Sequence, residues 1–394
     1  MRSAVSIFPP VIEHCGNGVR IRCRAEGIES KSLWLRIQPD PGVTRVEQVA
    51  DACVVPSVVA AMARGCDLHL RFPVSALLLR NLRVAIVPLL AHLHPDLFPH
   101  ATGIEAEGLA RTPTAGAQGS ATGLSCGLDS LAATADLLGL PPSHPMALRS
   151  LGFFDVGNHD PLHTGDAEHL FAERLSKARA CASDIGLPLF DVESNLQEWF
   201  PGVFARLHTL RNASAALLLA PLVRHYVYAS AVPVWMTKLS PADSAYGDAV
   251  LLPLLSTEAM TFHSGTPSLD SIAKTRMIST YPPARRHLQV CLYEARNCSR
   301  CEKCLRRQLA LDVAGGLQHF QKVFDLRQFF RARSWYIGYV LTYAAQNEPL
   351  RELATAMRAA DYARYPEVTY RLRWWFHRLW RWLRRKCRRS VDRF

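Results

Sequence analysis

Apolar and polar positions alternate through the first hundred or so residues, as in Val19-Arg20-Ile21-Arg22-Cys23-Arg24 and Leu33-Trp34-Leu35-Arg36-Ile37. A Pro39-Asp40-Pro41-Gly42 turn follows the second run. Period-two patterning of this kind predicts half-buried strands. Helical spacing takes over at about residues 55–63 and 74–87, where Pro88 is expected to stop or kink the second helix. Residues 1–112 therefore read as a small α+β domain. Residues 107–123, rich in Gly, Ala, Thr and Ser, have the composition of a linker. Beyond them apolar runs and helical patterns take turns: 151–156, a helix over 166–185, 188–192, a helix over 211–225, then 227–234. This alternation predicts an α/β domain over 113–325, a parallel sheet with helices on both faces and ligands beyond the carboxyl ends of its strands. A helix over 305–313 stops at Gly315-Gly316, and helical patterning from 325 to 363 opens a C-terminal helical region, 326–394.

Chemistry concentrates in two stretches. Thr122-Gly123-Leu124-Ser125-Cys126-Gly127-Leu128-Asp129-Ser130, with the helical run 131–138 behind it, reads as a short strand, a tight turn of small residues and a helix N-terminus. Such a turn aims backbone N–H groups and the positive end of a helix dipole at an anion, and phosphate is the natural guest. A plain turn followed by an Asp/Ser helix cap would use the same residues. Far downstream, Cys291, Cys298, Cys301 and Cys304 form C-x6-C-x2-C-x2-C. Four thiols so spaced can surround one tetrahedral Zn²⁺, and four protein ligands leave no open position, so the zinc is expected to be structural. A disulfide pair or a run of buried thiols is the other reading; Arg300, Glu302 and Lys303 among the cysteines weigh against burial.

The first stretch resembles the SGGxDS pyrophosphate loop of the PP-loop ATP pyrophosphatases, which split ATP between its α- and β-phosphates and pass AMP to a substrate oxygen. Ser125, Gly127, Asp129 and Ser130 match, while Cys126 stands where that family has its first glycine. The loop and the cysteine cluster together resemble the 7-cyano-7-deazaguanine synthase family of zinc-containing, ATP-dependent ligases. The likeness covers about residues 120–310 and is loose between its ends. It implies that Ser125, Cys126, Gly127, Leu128, Asp129 and Ser130 hold the ATP phosphates, with Asp129 also helping to hold Mg²⁺. Asp155, Asn158 and His159, in the stretch resembling the family's Tyr-Gly-Gln turn, would contact adenine, ribose or substrate, or form a simple polar turn. Asp191, Ser194 and Asn195 would line the substrate pocket, though Ser-Asn is also ordinary loop chemistry. Arg211, in an Arg-Asn pair like the family's, is expected on the α-phosphate, where a guanidinium meets growing charge; a salt bridge is the alternative. Lys274 and Arg276, in a stretch resembling the family's basic segment ahead of the zinc knuckle, are expected to bind phosphate, Lys274 at the reacting centre; a solvated basic face is the alternative. Cys126, at a helix N-terminus, also has the placement of an activated nucleophile, against a cysteine that merely replaces a loop glycine.

Composition narrows the setting. The chain has 394 residues, 49% of them hydrophobic, enough for two or three domains with sizeable cores. The apolar run at residues 7–10 is too short for a secretory signal, and the longest apolar stretches, 74–93 and 213–235, are interrupted by Arg80, Arg83, Arg224 and His225. They are expected to be core elements rather than membrane spans. Eleven cysteines with a zinc-like cluster and no leader point to the cytoplasm.

The last stretch changes character. From Val368 to Phe394 there are ten Lys/Arg and one acid, Asp392, so nine of the net twelve positive charges sit there. Leu372, Trp375, Phe376, Leu379, Trp382 and Leu383 fall on one helical face, with Arg371, Arg378, Arg381 and Arg385 on another. A basic, Trp-rich amphipathic helix suits an anionic membrane surface, suits nucleic acid, or packs its aromatic face on the body of the protein. The expectation for the whole is an ATP-dependent adenylating ligase that makes amide- or nitrile-type bonds, using ATP, Mg²⁺ and Zn²⁺. Its acceptor is undefined: a small molecule, a protein or a nucleic acid, with a homodimer as an open option. A tRNA-thiolating enzyme and a zinc-containing binding module that no longer turns over ATP are the competing readings.

Overall fold

A computed structural model describes residues 3–110, 117–157, 167–362 and 365–391. The chain divides into two compact units, Met1–Ser125 with Asp129–Ser268, and Cys126–Leu128 with Leu269–Phe394. The compact units therefore do not divide at the expected boundaries, 112 and 325.

The first unit is an α/β body on an eleven-stranded sheet. Its strands are β1 (Ala4–Ile7), β2 (Val11–Cys15), β3 (Gly18–Glu26), β4 (Ser32–Gln38), β5 (Asp67–Val74), β6 (Ile104–Leu109), β7 (Ser120–Gly123), β8 (Leu148–Phe154), β9 (Leu189–Ser194), β10 (His225–Tyr228) and β11 (Thr261–Ser264). They run in the order β11-β10-β7-β8-β9-β4-β3-β1-β5-β6, with β2 paired to β3. Six of the ten pairings among the described residues are parallel. The four antiparallel ones gather around β3 and β4.

The alternation in the sequence shows directly in burial. Val19, Ile21 and Cys23 of β3 and Leu33, Leu35 and Ile37 of β4 are buried, while Arg20 and Arg22 turn outward to Glu13 of β2. The N-terminal strands do not close into a domain of their own. β4 pairs antiparallel with β9, Leu35 opposite Ser194 and Gln38 opposite Asp191, so one sheet continues from β6 through to β11. Both ends of the expected linker are sheet: β6 runs to Leu109 and β7 begins at Ser120.

Two helix boundaries depart from the pattern for identifiable reasons. The helix expected to end near Pro88 runs on to Leu93: α-helix over Ala76–Asn81, a π-helical turn over Leu82–Ile86, then α-helix over Val87–Leu93. Proline has no N–H to donate and its ring crowds the carbonyl four residues back, and the wider π turn just ahead of Pro88 accommodates both. Ala76–Leu93 is long and apolar enough to cross a membrane by length and composition. Its Leu78, Leu82, Ile86 and Leu90 join the main core cluster. The helix expected to start at Arg211 begins at Phe204 and ends at Ala216. Its N-cap, Val203, makes no side-chain cap hydrogen bond, so none of the usual capping residues marks the start.

The second unit is helical among the described residues: Ser271–Thr280, Pro282–His287, Glu302–Val313, Leu326–Tyr343, Glu348–Ala359 and Glu367–Val391. The cysteine-rich segment precedes Glu302–Val313, so it belongs to the same compact unit as the C-terminal helices. Helix Glu367–Val391 packs along Leu326–Tyr343 at Gly338, where a Cβ would fall inside the Tyr370 carbonyl oxygen and 2.9 Å from Trp374 Cβ. Trp374 and His377 lie within ring-contact distance of Trp335, and Trp335 stacks on His377 at 4.1 Å between centroids. The aromatic stripe that packs is therefore Tyr370, Trp374 and His377, not the Leu372/Trp375/Phe376 face.

Candidate functional site

Strands β9-β8-β7-β10-β11 are all parallel. Counted in chain order, their sequence across the sheet is 3-2-1-4-5, the doubly wound arrangement in which ligands sit beyond the carboxyl ends where the order reverses. That reversal falls between β7 and β10, and the 125–130 turn leaves the carboxyl end of β7. The Leu124 N–H donates to the Gly152 carbonyl at 2.7 Å, holding the start of the turn to β8. Cys126 follows at φ 59°, in the left-handed region that favours glycine, and its buried side chain shows that the turn accommodates a thiol. A non-glycine residue there costs on the order of 1 kcal/mol. The position thus has the conformational demand of a loop glycine, met by cysteine. Its carbonyl accepts from the Gln289 N–H at 2.8 Å. Helix Leu128–Leu138 opens with Asp129 in its first turn, and Ser125 donates to the buried Ser130 hydroxyl at 3.3 Å.

The other expected residues of the first unit fall into different roles. Asp155 follows β8; its N–H donates to the Val192 carbonyl and its carboxylate accepts from the Gly157 N–H. Asn158 and His159 lie outside the described residues. Asp191 sits within β9 instead of beyond it, buried and bound by Arg179 at 2.8 Å and Gln38 at 2.8 Å. Asn195 accepts from the Trp34 N–H and donates to the Ser32 carbonyl, stitching the end of β9 to β4. Arg211 is 4% exposed, donates to the Val156 and Phe200 carbonyls, and lies over the Phe200 and Phe204 rings. These contacts brace the turn after β8. Gly157, at φ 89°, is part of the brace, since a Cβ there would meet the Arg211 guanidinium at 2.6 Å.

Near the same carboxyl edge is a partly buried polar network with no motif in the sequence. Tyr228, the last residue of β10, bonds His208 Nδ1 at 2.9 Å, and His208 Nε2 meets Asp243 at 3.1 Å. Thr209 donates to the carboxylate of Asp248 at 2.7 Å and bonds Ser244. The members span about forty residues and four elements, so only the fold brings them together. Burial pushes the Asp248 carboxyl up to about 6, against the opposing pull of the His208 charge and the Thr209 hydroxyl. A raised carboxyl pKa in the folded state means that the fold takes up a proton more readily than the unfolded chain, so Asp248 favours folding at low pH and loses that advantage as pH rises from about 4 through 6. Asp51, also raised to about 6 by burial, adds the same slope. Asp248→Asn should flatten it: thermal melts from pH 4 to 7 should show the variant gaining on the wild type by up to roughly 3 kcal/mol across that window. Parallel curves would mean that Asp248 does not titrate there.

In the second unit the four cysteine sulfurs lie within 4.8 Å of one another. Cys298 and Cys304 sulfurs are 3.9 Å apart, close to the roughly 3.8 Å edge of a tetrahedron with 2.3 Å metal–sulfur bonds, and far from a disulfide. Backbone N–H groups already face the sulfurs: Cys301 N–H to Cys298 and Cys304 N–H to Cys301, each at 3.4 Å. Ser299, at φ 58°, makes the tight turn between the first two of these. Asn297 accepts from the Val290 and Cys291 N–H groups and donates to the Leu288 carbonyl, fixing the approach of the first cysteine. The Cys304 thiol, then the Cys304 N–H, bring Cys301 down to about 5, while Cys301 in turn raises Cys304. The group can hold a metal ion such as zinc. A cavity of about 540 Å³ reaches Cys298 and Cys301, bounded by Arg300, Trp335, His377 and Trp380, and gives an ion a way in. Lys274 is fully buried on helix Ser271–Thr280, where its charge moderates the raised carboxyl of Glu352; Arg276 is exposed.

No family model matches this chain, and neither a curated protein nor a solved structure does. Fold and site alone therefore define the class: an α/β protein with a large, mainly parallel sheet and a four-cysteine cluster fit for a metal such as zinc.

Proposed function

We propose that this chain is an ATP-dependent adenylating ligase of the PP-loop kind, with the PP-loop version of the doubly wound fold and helices on both sheet faces. The observation that carries the reading is the 125–130 turn: a left-handed, glycine-type corner at the carboxyl end of the strand where the sheet order reverses, running straight into a helix with Asp129 and Ser130 in its first turn. The turn's N–H groups and the Ser125 and Ser130 hydroxyls would cradle the pyrophosphate portion of ATP, and Asp129 would hold Mg²⁺. A carboxylate or amide oxygen of the acceptor attacks the α-phosphorus as the bond to the bridging oxygen breaks. Pyrophosphate leaves with that oxygen's electron pair. Ammonia or an amine then adds at the activated carbon, losing its proton as AMP departs. The four-cysteine centre has no open ligand position and serves structure.

The test is calorimetric titration of α,β-methylene ATP with Mg²⁺ into zinc-replete protein. Binding that Asp129→Ala and Ser130→Ala each weaken by about tenfold or more supports the reading, because each removes a charge-assisted contact. Cys126→Gly should bind at least as well, since glycine takes the same corner without strain. No binding by a folded, zinc-loaded wild type would overturn it in favour of a zinc-containing module without ATP turnover. RNA retained through purification and released by Mg-ATP would instead favour a tRNA-thiolating enzyme.

A further inference from the structure

We infer that the C-terminal helix Glu367–Val391 is a docking surface for an anionic lipid bilayer. Successive helical residues turn by about 100°, so Tyr370, Trp374, His377 and Arg381 share one face, and Leu372, Trp375, Phe376, Leu379 and Leu383 the opposite one. The first face is occupied: Tyr370 is buried, Trp374 and His377 meet Trp335, and Gly338 makes room for the crossing. The second is bare. Trp375 is 66% exposed and Phe376 69%, and Leu372, Leu379, Trp382 and Leu383 are exposed with them. A continuous apolar face of this size on the surface is costly in water and marks a place where something else covers it.

Charge identifies the cover. Arg371 and Arg378 flank the bare face on one side, and the sequence continues through Arg384, Arg385, Lys386, Arg388 and Arg389. The partner must therefore be apolar in bulk and negative at its surface, which is the description of a bilayer with acidic headgroups. A second protein could match the apolar face, but not so readily a run of ten basic residues against one acid. Nucleic acid matches the charge. It reads aromatics as separate stacking platforms, whereas here leucines alternate with the rings and complete a contiguous stripe that no phosphate backbone would bury. Lying in the headgroup plane, the helix would sink its Trp, Phe and Leu side chains to the acyl boundary and leave its arginines at phosphate level. The opposite face would keep its contacts with Leu326–Tyr343, so docking needs no rearrangement of that pair.

Flotation of the full chain with vesicles of phosphatidylcholine containing about 30 mol % phosphatidylglycerol is the test. Binding is expected, at least roughly tenfold weaker to pure phosphatidylcholine and weakened by high salt. Tryptophan emission should shift to the blue on binding. Trp375→Ser with Phe376→Ser should reduce binding by about tenfold or more, with zinc content and circular dichroism unchanged, because neither side chain faces the helix pair. Equal binding by wild type and double variant, or no preference for acidic vesicles, would overturn the inference. So would single-stranded RNA that binds more tightly than the vesicles and loses affinity with the same two substitutions.

Discussion

Cys301→Ser should abolish zinc binding by the four-cysteine cluster and unfold the segment around helix Glu302–Val313. Cys301 has two jobs that this substitution separates. Its sulfur belongs to the four-cysteine cluster, and it is also the N-cap of that helix, accepting from the Cys304 N–H. Serine is a good N-cap, so the cap survives while the thiolate is lost. Metal binding to structural four-ligand sites contributes on the order of 10 kcal/mol, far more than a cap, while the segment between Cys291 and Cys304 is otherwise held by hydrogen bonds through Gln289, Asn297, Ser299 and Gln308, each worth about 1 kcal/mol. Metal analysis after gel filtration should find about one zinc per wild-type chain and about a tenth of that or less in the variant. Hydrogen exchange should report loss of protection over the helix. Cys181→Ser, a buried thiol of the first unit, should leave zinc unchanged. A full zinc complement in Cys301→Ser would remove the cluster as the metal site.

Gly338→Val should lift the C-terminal helix off its partner at a cost of about 2–4 kcal/mol. The crossing is so close that even a methyl group at Gly338 collides with the Tyr370 carbonyl, which is backbone and cannot turn aside. Two sets of contacts join the helices one turn from the collision point: Arg373 donates to the Ser334 hydroxyl, and the Trp335, Trp374 and His377 rings meet. Separation loses both. The measurements are limited proteolysis, which should release the helix much earlier than in the wild type, and tryptophan emission, which should move to the red. Unchanged digestion would mean that the helices can slide past each other at little cost.

The parts of this molecule that were legible in sequence are the ones written in short-range patterns. Four cysteines within fourteen residues need only local turns to meet, and the alternation in β3 and β4 sorts inward from outward residues without reference to the rest of the chain. The helix Val54–Arg64 was equally plain. The β4–β9 pairing was not, because it joins strands some 150 residues apart and neither strand's residues specify that neighbour. Arg211 shows the limit for single residues: an Arg-Asn pair reads as phosphate chemistry, but the carbonyls of Val156 and Phe200 that engage it come from other elements. In the C-terminal helix the amphipathic pattern located the apolar face correctly but not the face that packs. Gly338, thirty residues upstream, made that choice.

The junction between β4 and β9 also bears on how this chain leaves the ribosome. By the time β4 has emerged, its far edge has no mate, and about 150 further residues must be synthesised before β9 can supply one. Throughout that interval a pleated edge carrying Leu35 and Ile37 is exposed to any other nascent strand, the situation in which polypeptides pair with the wrong partner. The outward row Trp34, Arg36 and Gln38 alternates with those aliphatic residues, and a charge at its centre is the usual guard against such encounters. Arg36 is the charge at the centre of that row, and in the finished sheet the same side chain faces Glu193 of β9 at 3.6 Å. The position that would ward off a wrong strand is thus the one that meets the right strand with an ion pair.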